Sequence, residues 1–289
     1  MTPRGRRWLE LRARVRDGGP WSDVLAPGLV ALGGRAVEER DGWLVTHLPE
    51  PDDLPRLLRD ARAFLGALGL RDVEMETAWR AHEDWAETWK RGLEPRRVGE
   101  RLVVSPSWHA WEAAPDDILL VLDPGMAFGN AEHGTTRGCL RLLEHAVRPG
   151  QRVLDVGAGS GVLSIASARL GASEVLALEG DELAIEALDE NLERNGVADR
   201  VRRRTVWADA ALLSGMGPWD GIVANIEAGV LRALLPGFRH ALGPGGWLIL
   251  SGILDTEWAD LGAEVEGAGF RIVEADADGE WRSGRFRAS

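Results

Sequence analysis

The sequence predicts an α/β protein: a parallel sheet covered by helices over roughly its last 170 residues, preceded by a small α+β unit. Three observations predict it. From Val121 to Ser289, strand-like and helix-like segments alternate, the rhythm of a parallel sheet with helical crossovers. Within that stretch an apolar strand, Val153 to Val156, runs into the turn Gly157-Ala158-Gly159-Ser160-Gly161, and a helix follows. Ahead of it, Met1 to about Met75 reads strand, helix, hairpin, helix, strand, the order of a ferredoxin-like unit. The expected division is therefore 1–75, a connector at 76–120, and 121–289.

Each element has a local reason. Leu9, Leu11, Ala13 and Val15 alternate with polar residues, the period of a half-buried strand. Ser22 is a candidate cap for a helix reaching Leu32, which Gly33-Gly34 ends. Asp41-Gly42 between Ala36–Glu39 and Trp43–Leu48 signals a hairpin. Asp52 or Asp53 begins a second helix with Leu54, Leu57, Leu58, Ala61, Phe64, Leu65 and Leu68 on one face. A strand over Asp72–Glu76 closes the unit. In the connector, Asp84–Arg91 looks helical and Arg101–Val104 extended; Trp85, Trp89, Trp108 and Trp111 are read as packing anchors. Beyond it, strands are expected at Arg152–Val156, Glu174–Leu178, Val201–Thr205, Gly221–Ala224 and Trp247–Ser251. A final pair is expected at Gly269–Ala275 and Glu280–Arg287. The charged run Asp181–Arg194 reads as a solvated helix with Leu183, Ile185, Leu188 and Leu192 inward.

Composition narrows the function. The 289 residues are 45% hydrophobic and 28% charged, enough apolar material for a real core. No apolar run is long enough to span a membrane as a helix. The arginine-rich start lacks the apolar stretch of a secretory signal. A lone cysteine, Cys139, fits a reducing, cytoplasmic setting and reads as core. The six histidines lack metal-ligand spacing, so no metal is expected. A net charge of −12 argues against a nucleic-acid substrate and suits a basic protein partner.

The chemistry lies in the third part. Glycines at 157, 159 and 161 let the backbone approach a ligand at the sheet's carboxyl edge. The dinucleotide fingerprint is G-x-G-x-x-G, but here position 162 is Val. The G-x-G-x-G form, with Asp155 before it, resembles the first motif of class I methyltransferases. A carboxylate at Asp155 suits the cationic methionine end of S-adenosylmethionine, directly or through water. Glu179, at the next strand's tip, suits the ribose hydroxyls. Asp209 suits the adenine amino group, or is a solvated surface residue. Asn225, ending the fourth strand, is a candidate catalytic residue that accepts from a substrate amine. Ile226-Glu227-Ala228 after it offers no aromatic platform for a flipped base.

A sharper resemblance comes from Leu122-Asp123-Pro124-Gly125-Met126-Ala127-Phe128-Gly129 with His133-Gly134-Thr135-Thr136. Pro106-Ser107-Trp108, Ala224-Asn225-Ile226, Ser251-Gly252-Ile253-Leu254 and Glu280-Trp281 add to it. From about Asp84 onward the chain is similar to the ribosomal protein L-eleven methyltransferases (PrmA). That resemblance implies a ferredoxin-like substrate-recognition domain and a Rossmann-like seven-stranded methyltransferase domain. It implies S-adenosylmethionine as cofactor, and methylation of lysine ε-amino and N-terminal α-amino groups on a basic ribosomal protein. It carries cofactor binding to Thr136, Gly157, Glu179 and Asn225, with Phe128 and His133 in a covering loop. The family's Phe-Gly-Thr-Gly-Thr-His-Pro-Thr-Thr is here Phe128-Gly129-Asn130-Ala131-Glu132-His133-Gly134-Thr135-Thr136. The ribose acid is Glu179 where the family has Asp. The altered loop keeps a second protein substrate in view, such as an electron-transfer flavoprotein subunit. A non-catalytic docking protein that binds the cofactor is the alternative of another class.

Overall fold

A computed structural model describes residues 7–15, 25, 26, 28, 29, 32, 33, 37–40, 42–51, 53–70, 72–81, 93–123, 127, 129 and 131–288. The chain forms two compact units, Met1–Gly92 and Leu93–Ser289.

The first unit holds β1 (Arg7–Val15), β2 (Val37–Arg40), β3 (Trp43–Pro49), α1 (Leu54–Ala67) and β4 (Val73–Ala81). Its sheet runs β2-β3-β1-β4 with antiparallel pairs, the ferredoxin-like arrangement. Leu9, Leu11 and Ala13 point from β1 into a core that also takes Leu48 and Leu65. Residues 25, 26, 28 and 29 are helical and bury Leu25 and Leu29. Asp53 starts α1 by accepting from the Arg56 backbone N–H at 2.9 Å. The apolar face of α1 is narrower than expected. Ala61 and Leu65 are buried, whereas Phe64 and Leu68 remain 38% and 44% exposed at its rim. Ser22, Asp41, Asp52 and the stretch 84–91 lie outside the described residues.

The units divide after Gly92, not at 75 and 120. β4 continues to Ala81 because it pairs with β1 along its whole length. The strands β5 (Arg96–Arg97), β6 (Leu102–Ser105) and β7 (Ile118–Val121) form a small sheet that belongs to the second unit. Leu102, Val104 and Leu120 share a core with α2 (Gly134–Ala146). Glu144 of α2 accepts from the backbone N–H groups of Glu100, Arg101 and Leu102, each at 2.8 Å.

The second unit is built on a seven-stranded sheet ordered β10-β9-β8-β11-β12-β14-β13. Its strands are β8 (Arg152–Val156), β9 (Glu174–Glu179), β10 (Val201–Thr205), β11 (Trp219–Asn225), β12 (Leu242–Leu254), β13 (Phe270–Asp278) and β14 (Trp281–Ala288). The first five are parallel; β14 runs antiparallel to both β12 and β13. Between them lie α3 (Val162–Arg169), α4 (Glu182–Arg194), α5 (Ala210–Ser214), α6 (Ala228–Ala241) and α7 (Asp255–Gly267). Alternation along each strand feeds two cores. Val153, Val175 and Val223 face α2, α3 and α4, while Leu154, Leu178 and Ala224 face α6 and α7. On α4, Ala184, Leu188 and Leu192 make the inward row. Leu183 lies one step around the helix and is 39% exposed, against expectation. Strand order reverses between β8 and β11, the switch point at which such sheets open a crevice.

Candidate active site

The site grows from the end of β8. Gly157, Gly159 and Gly161 have φ of 77°, 54° and 86°, the left-handed region that side chains resist. A Cβ on Gly157 would meet Ile226 at 2.5 Å, and one on Gly161 would meet Leu188 at 2.4 Å. The turn is fixed from beside: the N–H groups of Gly157 and Ala158 donate to the Leu178 carbonyl at 2.9 and 3.1 Å. At the tip of β9, Glu179 is 7% exposed. Its Oε2 accepts from the Gly159 N–H and its Oε1 from the Asp181 N–H, both at 2.8 Å.

A cavity of about 470 Å³ opens at this edge. Gly157, Gly159, Glu179 and Trp207 line one part; Asn225, Ile226 and Glu227 line the β11 side; His133, Thr135, Gly252 and Trp281 complete the wall. Four expected site residues therefore share one cavity: Gly157, Gly159, Glu179 and Asn225. Asn225 is half-buried, and its Nδ2 donates to the Thr136 Oγ1 at 3.5 Å, which leaves Oδ1 to accept.

The other expected residues stand elsewhere. Thr136 is fully buried behind the wall; its neighbour Thr135 lines the cavity instead. Gly161 caps α3 and contributes backbone only. Asp155 is fully buried and does not line the cavity. Its Oδ2 accepts from the Ser164 hydroxyl at 2.6 Å, and its Oδ1 has no partner among the described residues. Burial pushes this carboxyl up to about 7. The side chain points into the protein under the turn, toward Ser164. Asp209 caps α5, accepting from the Leu212 N–H at 2.7 Å, and also lies outside the lining. Phe128 lies outside the described residues.

Sequence reasoning missed Trp207, Thr135, Glu227, Gly252 and Trp281 as lining. Two carried a signal. Trp207 is 76% exposed and lies over the Gly180 backbone, where a Cβ would come within 2.2 Å of the indole. Gly252 has φ of 84°, and a Cβ there would strike the Ile226 carbonyl at 2.2 Å. A glycine following each of two strand-end motif residues marked that close approach.

The wall formed by the start of α2 is clamped to the last hairpin. Arg137 grips both carboxylate oxygens of Asp278 at 2.8 and 2.5 Å, and donates to the carbonyls of Ala131 and Glu132. Arg141 grips Asp276 at 2.7 and 2.6 Å. The His133 ring, 4.8 Å from that of Trp281, shares its Nδ1 with the Thr135 hydroxyl at 2.7 Å. Burial, and then the Arg137 charge, lower the His133 pKa, which favours the neutral imidazole.

A seven-stranded sheet with one reversed hairpin strand, a left-handed glycine turn at the switch point and an acid on the next strand define a class I methyltransferase. The chain belongs to the family described as Ribosomal protein L11 methyltransferase (PrmA), whose profile matches residues 40–288. A ribosomal protein L11 methyltransferase of Chloroflexus aurantiacus is 45% identical, over 84% of this chain and 81% of that one. Its counterpart in Pelotomaculum thermopropionicum is 41% identical over 95% and 96%. The crystal structure of a ribosomal protein L11 methylase from Lactobacillus delbrueckii matches with a TM-score of 0.62 at 30% identity. It covers 68% of this chain and 98% of that one.

Proposed function

We propose that the cavity binds S-adenosylmethionine and that the enzyme methylates lysine ε-amino and N-terminal α-amino groups of ribosomal protein L11. The observation that carries this reading is the joint lining of one cavity by the Gly157–Gly159 turn, Glu179 and Asn225. The residues fit the cofactor. Gly157 and Gly159 present backbone without side chains to the cavity, and Glu179 retains lone pairs for ribose hydroxyls after accepting two N–H groups. Trp207 offers its exposed face beside Glu179 for a flat ring.

When bound, the cofactor supplies a methyl group on a sulfonium, already a good electrophile. The chain's own task is alignment. A free lysine has a pKa near ~10.4 and attacks only as the neutral amine. Ile226 and Trp281 give the cavity an apolar wall that disfavours the ammonium. The Asn225 Oδ1 accepts from the amine N–H and turns its lone pair toward the methyl. The first unit, 1–92, recognises the protein substrate; the absence of a polar constellation in its sequence supports a role without chemistry. Such a substrate carries with it a cytoplasmic location. Labelled-methyl transfer to free ribosomal protein L11, compared with the electron-transfer flavoprotein, tests the reading. Transfer to the flavoprotein alone would replace it.

A further inference from the structure

We propose that Glu227 recruits the acceptor: its carboxylate pairs with the substrate's ammonium at the cavity mouth, before the amine loses its proton. The inference rests on the amine-methylation reading above. Glu227 stands two residues after Asn225, in the N-cap position of α6. Side chains there ordinarily accept from a first-turn N–H, but this one makes no capping bond. It is exposed and lines the cavity, and its carboxylate makes no hydrogen bond or ion pair among the described residues.

The cavity's other carboxylate among the described residues, Glu179, is buried, accepts from two backbone N–H groups and keeps its remaining lone pairs for the ribose. Among the described lining residues there is no lysine or arginine, and His133 is biased to its neutral form. The lining charge is therefore negative, and Glu227 is the exposed carboxylate that carries it to the mouth, where it draws in cations. An apolar wall of Ile226 and Trp281 alone would take a neutral alkyl chain as readily as an amine; a carboxylate beside it supplies the discrimination. This pairing exists in the ground state and is surrendered when the ammonium gives its proton to solvent water. It therefore lowers KM for the acceptor without raising kcat.

The test uses the full chain, wild type, Glu227→Gln and Glu227→Asp. In methyl transfer to ribosomal protein L11, Glu227→Gln should raise the acceptor KM about 3- to 10-fold, the range of a partly solvated ion pair. Glu227→Asp should restore most of that loss. The wild-type KM should rise with salt, and that of Glu227→Gln should rise less. In a second arm, saturation-transfer NMR compares n-butylammonium with its neutral isostere n-butanol on protein loaded with S-adenosylhomocysteine. Wild type should prefer the cation, and Glu227→Gln should lose the preference. An unchanged preference in Glu227→Gln, or a loss confined to kcat, overturns the proposal. If wild type transfers no methyl to the ribosomal protein, the substrate reading fails while the butylammonium arm still decides Glu227.

Discussion

Asn225→Ala separates alignment from architecture. Among the described residues the Asn225 side chain makes one bond, to Thr136 at 3.5 Å, at the outer limit for a hydrogen bond. Removing so long a contact from a half-buried position should cost less than about 1 kcal/mol of stability. Gly157 and Ala158 are held by the Leu178 carbonyl and Gly159 by Glu179, so the glycine turn does not depend on Asn225. Cofactor affinity should change little. The aligning bond to the amine is a different matter, because it strengthens as the lone pair commits to the methyl. Its loss should lower kcat about 10²-fold, equivalent to roughly 2.7 kcal/mol in a water-poor site. Melting temperature, cofactor affinity by calorimetry and single-turnover methyl transfer are measured on one preparation. If stability and cofactor affinity fall while kcat at saturating cofactor stays normal, Asn225 is structural and the alignment argument is refuted.

Glu179→Ala should weaken S-adenosylmethionine binding by roughly 1–3 kcal/mol and loosen the turn, since the Gly159 N–H loses its acceptor; calorimetry that finds NAD binding instead would exclude the cofactor assignment. A fragment spanning Leu93–Ser289 keeps both cores of its unit. It should bind cofactor yet lose methylation of the protein substrate; full activity would remove the recognition role of residues 1–92. The Arg137 guanidinium holds the Asp278 carboxyl at about 2, below an unfolded value near ~3.9. That depression contributes stability fully present above about pH 4 and lost as pH falls from there to about 2. Partial solvation reduces it to about 1–2 kcal/mol. Asp278→Asn should show that loss at pH 7 and a flatter acid limb in urea titrations; an unchanged limb would show that the clamp adds nothing.

Much of the fold was legible because it rests on local signals. The apolar run at Val153–Val156, the left-handed glycines and the Asp53 cap act within a few residues, and each forms where expected. The division between units was not legible, because strands β5 to β7 are assigned by long-range contacts such as Glu144 reaching the 100–102 backbone. In the site, backbone-determined positions were readable: Gly157, Gly159 and the strand-end residues Glu179 and Asn225 meet as expected. Residues whose role depends on side-chain direction were not. Asp155 turns inward to Ser164, and Asp209 turns back to cap its helix. Trp207 and Trp281 become walls only when β10 and the last hairpin are folded. A residue type at a strand end predicts a place at the sheet's edge, but not which way it faces.

The most direct test of the central claim is transfer of labelled methyl from S-adenosylmethionine to purified ribosomal protein L11, with modified residues located by mass spectrometry. The account predicts label on lysine ε-amino and N-terminal α-amino nitrogens with the wild-type chain, and a rate about 10²-fold lower with Asn225→Ala. Absence of label on ribosomal protein L11, with transfer to another protein or to nucleic acid, would contradict it.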